Sequence, residues 1–192
     1  MSKPTTVIVL CEDNRTFSFM RFYLKRCGIN HRAIRPVISP GGSGFTFVIN
    51  SFPGQIDAYR LAKARMGACL IAVVDADTRT VAQRLGEMDR KLTEAEEPRV
   101  RAIRIEDEKI ARLVPRRNIE TWIEALNSSS VNETENYKET IRRTDEEWRA
   151  LIPVASEAFY ALTRPNADLP EDLIGSLRHG IGEMRRVFPT AG

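Results

Sequence analysis

The chain has 192 residues, 42% hydrophobic and 29% charged, a globular composition long enough for one core with an appendage. The net charge is +3, compatible with a nucleic-acid partner but far from a basic tail, and the arginine clusters at 115–117, 141–143 and 184–186 read mostly as solvated helix faces. No apolar run is long enough to span a bilayer, and "MSKPTTVIVLCED" lacks the apolar stretch and cleavage site of a signal peptide, so a cytoplasmic protein without a membrane partner is expected.

In chain order, "TTVIVLCE" (5–12) is β-branched and apolar and predicts a buried strand. "NRTFSFMRFYLKRCG" predicts a helix closed by Gly28 at the C′ position, with Asp13 or Asn14 as its N-cap. "HRAIRPVI" (31–38) reads as a second strand and "SPGGSG" (39–44) as a loop. The next stretch predicts a short helix, a break at Pro53 and a second helix ending at Gly67. "ACLIAVVD" (68–75) is the strongest strand, followed by an amphipathic helix from "TRTVAQRL". "RVRAIRIE" (99–106) alternates apolar residues with arginines and predicts a half-exposed strand; "ARLVP" (111–115) predicts another, with "NIETWIEALN" a helix after it.

That alternation predicts an α/β domain over 1–127, with a mostly parallel sheet flanked by helices. Residues 128–192 begin with a polar stretch and continue as two helices, predicting a helical extension packed on the same domain. Cys11, Cys27 and Cys69 read as reduced core residues; with only two histidines, no zinc spacing or Cys–His nucleophile exists. Tyr23, Tyr59 and Trp122 read as packing residues, and Trp148 is too isolated for a base-stacking platform.

The chemistry concentrates in "IAVVDADTRT". If the strand persists through residue 77, Asp75 and Asp77 point to the same side, where two carboxylates repel unless a cation or proton intervenes. Alone, this pattern favours a helix cap, with Asp77 or Thr78 at the N-cap. Glu12 stands at the corresponding end of the first strand. Neighbouring strands lie about 5 Å apart, so the three acids can share one hard cation, Mg²⁺ or Mn²⁺ by their oxygen-only chemistry. Glu120, after "PRRNI", is a candidate extra ligand or orienting base, or else a first-turn carboxylate facing a helix dipole. Arg116 and Arg117 are candidate phosphate ligands, and Gly42 and Gly44 give a loop that a phosphate can approach, although it lacks the end of a nucleotide P-loop.

"DADTR" resembles the haloacid-dehalogenase phosphatase motif, but Arg79 occupies its fifth place and the motif is not on the first strand. "VIVLCEDNRTFSFMRFYLKRCG" resembles the opening of response-regulator receivers; the Met-Pro turn after the aspartate and the last-strand lysine are missing. The fuller resemblance is to the TOPRIM domain, with Glu12 after the first strand and a hydrophobic strand ending in Asp75-Ala76-Asp77; Asp13 stands where family members usually carry Gly. It covers residues 5–126. "RNIETWIEAL" and "LPEDLIGSLRHGIGEMRRVF" are similar to segments of small stand-alone TOPRIM proteins of the overcoming-lysogenization-defect type. The resemblance implies a Mg²⁺- or Mn²⁺-dependent nuclease with Glu12, Asp75 and Asp77 catalytic, DNA or RNA as partner, an ATPase partner and a role in phage defence; Glu120 is added as a catalytic candidate from its place near a strand end, and homo-oligomers are a further expectation. The alternatives are a non-catalytic nucleic-acid-binding or regulatory module and a receiver-like phosphoacceptor.

Overall fold

The computed structural model describes residues 6–41, 44–104, 106–127 and 130–189. Four strands, β1 (Thr6–Cys11), β2 (Ile34–Ile38), β3 (Ala68–Val73) and β4 (Ile110–Leu113), form an all-parallel sheet in the order β2-β1-β3-β4. The helices are α1 (Asn14–Arg26), α2 (Gly44–Met66), α3 (Val81–Thr93), α4 (Ile119–Asn127), α5 (Tyr137–Thr140), α6 (Asp145–Thr163) and α7 (Gly175–Val187). The architecture is mixed α/β and Rossmann-like, as the alternation predicts. Among the described residues no helix is long and apolar enough to cross a membrane.

The two central strands are buried on both faces, which is why they read as unbroken apolar runs. Val7, Val9, Cys11, Cys69, Ile71 and Val73 point to the core shared with α1, α4, α6 and α7. Ile8, Leu10, Leu70 and Ala72 point to the opposite core, under α2 and α3. Asp13 caps α1 by accepting from the Thr16 N–H at 2.8 Å, and Gly28 ends it at φ +75°.

Three expectations are corrected. Helix α2 runs unbroken through Pro53, because Val48, Phe52, Ile56 and Tyr59 along one side of it are fully buried and offset the lost backbone bond. No strand forms among the described residues of 99–106, where the chain takes a 3₁₀ turn at Pro98–Val100 and then bends. Val100 anchors this segment in the α2–α3 core. Its arginines turn back to bind locally, Arg99 to Asp57 at 2.7 Å and Arg101 to the Ala95 carbonyl at 2.9 Å. The third correction is at the end of β3, which stops at Val73 and does not persist through residue 77.

The C-terminal extension belongs to the same core. Phe159 of α6 packs against Phe19, Tyr23 and Trp122, and Ser156 donates to the Phe19 carbonyl at 3.0 Å. Helix α7 covers the open edge of β4 with polar side chains. The Arg112 N–H donates to Glu183 at 2.9 Å, Arg186 donates to the Ile110 carbonyl at 2.5 Å, and His179 Nε2 lies 3.1 Å from the Arg112 carbonyl. These contacts occupy backbone groups that an exposed edge would offer to another chain. Glu183→Ala strands the Arg112 N–H and is expected to cost about 1–2 kcal/mol. An unchanged urea midpoint would rule out this role.

Candidate active site

Leu10 of β1 is in register with Ala72 of β3, so Glu12 and Asp75 leave adjacent strands at the same end of the sheet. That carboxyl end is where open parallel sheets bind ligands. A hydrogen bond joins the two exits, with the Asp75 N–H donating to Glu12 Oε1 at 2.8 Å. The start of α2 closes on the same carboxylate. Gly44 has φ +37°, and a Cβ there would lie 3.2 Å from Glu12 Oε2, so glycine admits this approach.

Beyond β3 the chain stays stitched to the segment after β4. Val74, Ala76 and Asp77 donate their N–H groups to the carbonyls of Leu113, Pro115 and Arg117 at 2.9–3.0 Å. Asp77 and Arg117 both adopt left-handed backbone, at φ +53° and +67°. Two such non-glycine residues paired at a strand exit is the kind of local strain that collects at functional sites.

Asp75 is partly buried, whereas the Asp77 side chain is 53% exposed and sits 3.6 Å from Arg84. The two acids therefore do not project side by side from a continuing strand. Neither Asp77 nor Thr78 caps α3; Thr80 does, through a capping box with Gln83.

Burial pushes the Glu12 carboxyl up to about 7, with Asp77 and Asp13 adding, against the Asp75 N–H and Arg84. Asp75 is pushed well above the carboxylate range, first by burial, then by Glu12, Glu120, Asp13 and Asp77. Burial is the leading cause for both carboxyls, and Glu12 adds to the elevation of Asp75.

Glu120 is buried and bound by Arg15, which also holds Asp145 at 2.6 Å. To serve as a ligand it must first leave Arg15. Arg116 and Arg117 are half-buried, with no ion pair or side-chain hydrogen bond among the described residues. They stand on the loop bonded to Asp77, and are free to meet an anion. Gly42 lies outside the described residues.

Arg84 is the residue the sequence reading missed. It is 1% exposed and donates to the carbonyls of Asp75 (3.0 Å) and Ala76 (3.3 Å) and to Glu87 (2.6 Å). Its guanidinium lies 4.1 Å from the Phe45 ring centroid. It fixes the acidic turn from beneath. The available signal was its spacing, since Arg84 shares the buried stripe of α3 with Met88 and Leu92.

No protein-family model, curated protein or solved structure matches this chain. The site therefore rests on its own chemistry. Its donors are all oxygen, and Glu12 and Asp75 have no ion pair among the described residues, which fits a hard divalent cation. Among the described residues, no three acidic, His or Cys side chains converge into a ready-made cage. An ion here would have few protein ligands, completed by water and phosphate, the usual manner of Mg²⁺.

Proposed function

We propose that the protein is a Mg²⁺- or Mn²⁺-dependent phosphodiesterase of TOPRIM type that hydrolyses DNA or RNA. The observation that carries this reading is the meeting of two acids at the exits of adjacent central strands, where the Asp75 N–H donates to Glu12 at 2.8 Å and burial pushes both carboxyls up. Asp75 would hold the cation, and Asp77 would reach it only by leaving Arg84. A bound divalent ion would neutralise phosphate charge and favour attack at phosphorus. Arg116 and Arg117 bind the phosphate oxygens.

With a carboxyl near 7, Glu12 is suited to accept a proton from water at neutral pH. In the hydrolysis, the water oxygen bonds to phosphorus and the ester P–O bond breaks. The water's proton passes to Glu12, and the departing oxygen takes a proton from solvent. Glu120, paired with Arg15, orients the site from behind. The ATPase partner, oligomeric assembly and defence role implied by the TOPRIM resemblance belong to the same reading.

The test is cleavage of single- and double-stranded DNA and RNA by purified protein with Mg²⁺, Mn²⁺ or EDTA. Metal-dependent cleavage is expected in the wild type and its loss in Asp75→Ala. Intact substrate in every wild-type reaction overturns the enzyme reading. Among the described residues no three donors converge, which favours a second reading, a module that binds nucleic acid without cutting it. Retained binding with no cleavage at any metal concentration would select it.

A further inference from the structure

A cleft of about 440 Å³ opens beside the acid pair, between the start of α1 and helices α5 and α6 of the extension. Two of its lining residues link it to the proposed active site. Asp13 directly follows Glu12, and Arg15 reaches from the cleft to Glu120.

The charges lining the cleft are unequally engaged. The Asp13 carboxylate accepts from Thr16, and Asp145 is paired with Arg15. Lys138 and Arg149, from two different helices, line the same cleft and are exposed. Neither has an ion pair or side-chain hydrogen bond among the described residues. The acids lining the cleft are thus occupied, while two of its three cations are not. Trp148 is 2% exposed, beneath Arg15 at 5.5 Å, and offers no face for a base to stack on.

We propose that this cleft guides one nucleic-acid strand to the acid pair, with successive phosphates on Lys138 and Arg149. The inference rests on the phosphodiesterase reading for the direction of the strand. A polyanion suits the geometry better than a small anion, because the free cations stand on two separate helices, α5 and α6. With no stacking platform, recognition is of the backbone and independent of sequence.

The test is binding of a fluorescent oligo-dT strand in EDTA, where no cleavage interferes. Wild type is compared with the double variant Lys138→Gln/Arg149→Gln and with Asp75→Asn. Each lost phosphate contact on a single strand removes about 0.7 from the log–log salt slope. The double variant should bind about 25-fold more weakly at about 0.1 M salt, with a slope shallower by about 1.4. Both side chains are exposed, so its urea midpoint should stay that of the wild type. Asp75→Asn should bind at least as tightly as wild type.

Unchanged affinity and slope in the folded double variant would overturn the proposal, as would no wild-type binding. Equal competition by polyglutamate would also overturn it, by assigning the cleft to an acidic protein surface. Cleavage with unaffected binding removes the cleft and leaves the nuclease. Lys138- and Arg149-dependent binding without cleavage does the reverse.

Discussion

Glu12→Gln is expected to stabilise the metal-free protein at pH 8 by about 3 kcal/mol and to leave it unchanged at pH 4. The unfolded chain ionises Glu12 near its ordinary 4.5, whereas the folded protein holds the proton up to about 7. Below 4.5 both states are protonated, so the glutamate carries no penalty. Between the two values the unfolded chain sheds the proton and the folded one keeps it, and stability falls as pH rises. Above 7 the folded protein bears a partly buried carboxylate at full cost. The gap converts to about 3 kcal/mol at 1.36 kcal/mol per unit.

Gln keeps the oxygen that accepts from the Asp75 N–H, so the bond between the strand exits survives. It also removes a charge that raises Asp75, which adds in the same direction. Urea titrations in EDTA at pH 4 through 8 measure this. A pH-independent difference, or a less stable variant at pH 8, would sink it. On the proposed reading, a cation held at Asp75 would offset the neighbouring Glu12 charge, so Mg²⁺ should raise the wild-type midpoint at pH 8 more than that of Glu12→Gln. A carboxylate kept at a stability cost that its amide would relieve is the signature expected of a group retained for chemistry.

The acids were legible in the sequence because burial and alternation are local properties. Val7, Val9 and Cys11 alternate with Ile8 and Leu10 across a two-faced sheet, and the first polar residue after such a run must stand at its end. What the side chains do there depends on partners distant in sequence. Asp77 reads as a twin of Asp75 until its N–H pairs with the Arg117 carbonyl and turns its backbone left-handed. Glu120 reads as a free carboxylate until α1 brings Arg15 to it across 105 positions. The 99–106 segment alternates like a strand, but its arginines answer to Asp57 and the Ala95 carbonyl, and the sheet gains β4 from the next segment instead. Pro53 fails as a breaker because burial over several turns of α2 outweighs one missing donor.

Gly180→Ala is expected to destabilise the protein by about 1–3 kcal/mol, against the usual gain of about 1 kcal/mol for this exchange inside a helix. A Cβ at Gly180 would lie 2.3 Å from Trp122 Cη2 and within 3.1 Å of two further ring atoms. The ring has no room to give. It is fully buried, with Phe159 at 5.7 Å and its Nε1–H donating to Ser176 at 2.8 Å. Relief would mean breaking that buried bond or lifting α7 from α4. Gly182 supplies the control on the same helix, since nothing lies within 4 Å of its Cβ direction, and Gly182→Ala should gain up to about 1 kcal/mol. Equal urea midpoints for the two variants would refute the clash. Displacement of α7 would also uncover the β4 edge held by Glu183 and Arg186, and would loosen α4, which carries Glu120 behind Asp75. On the proposed phosphodiesterase reading, Gly180→Ala is therefore expected to reduce cleavage as well as stability.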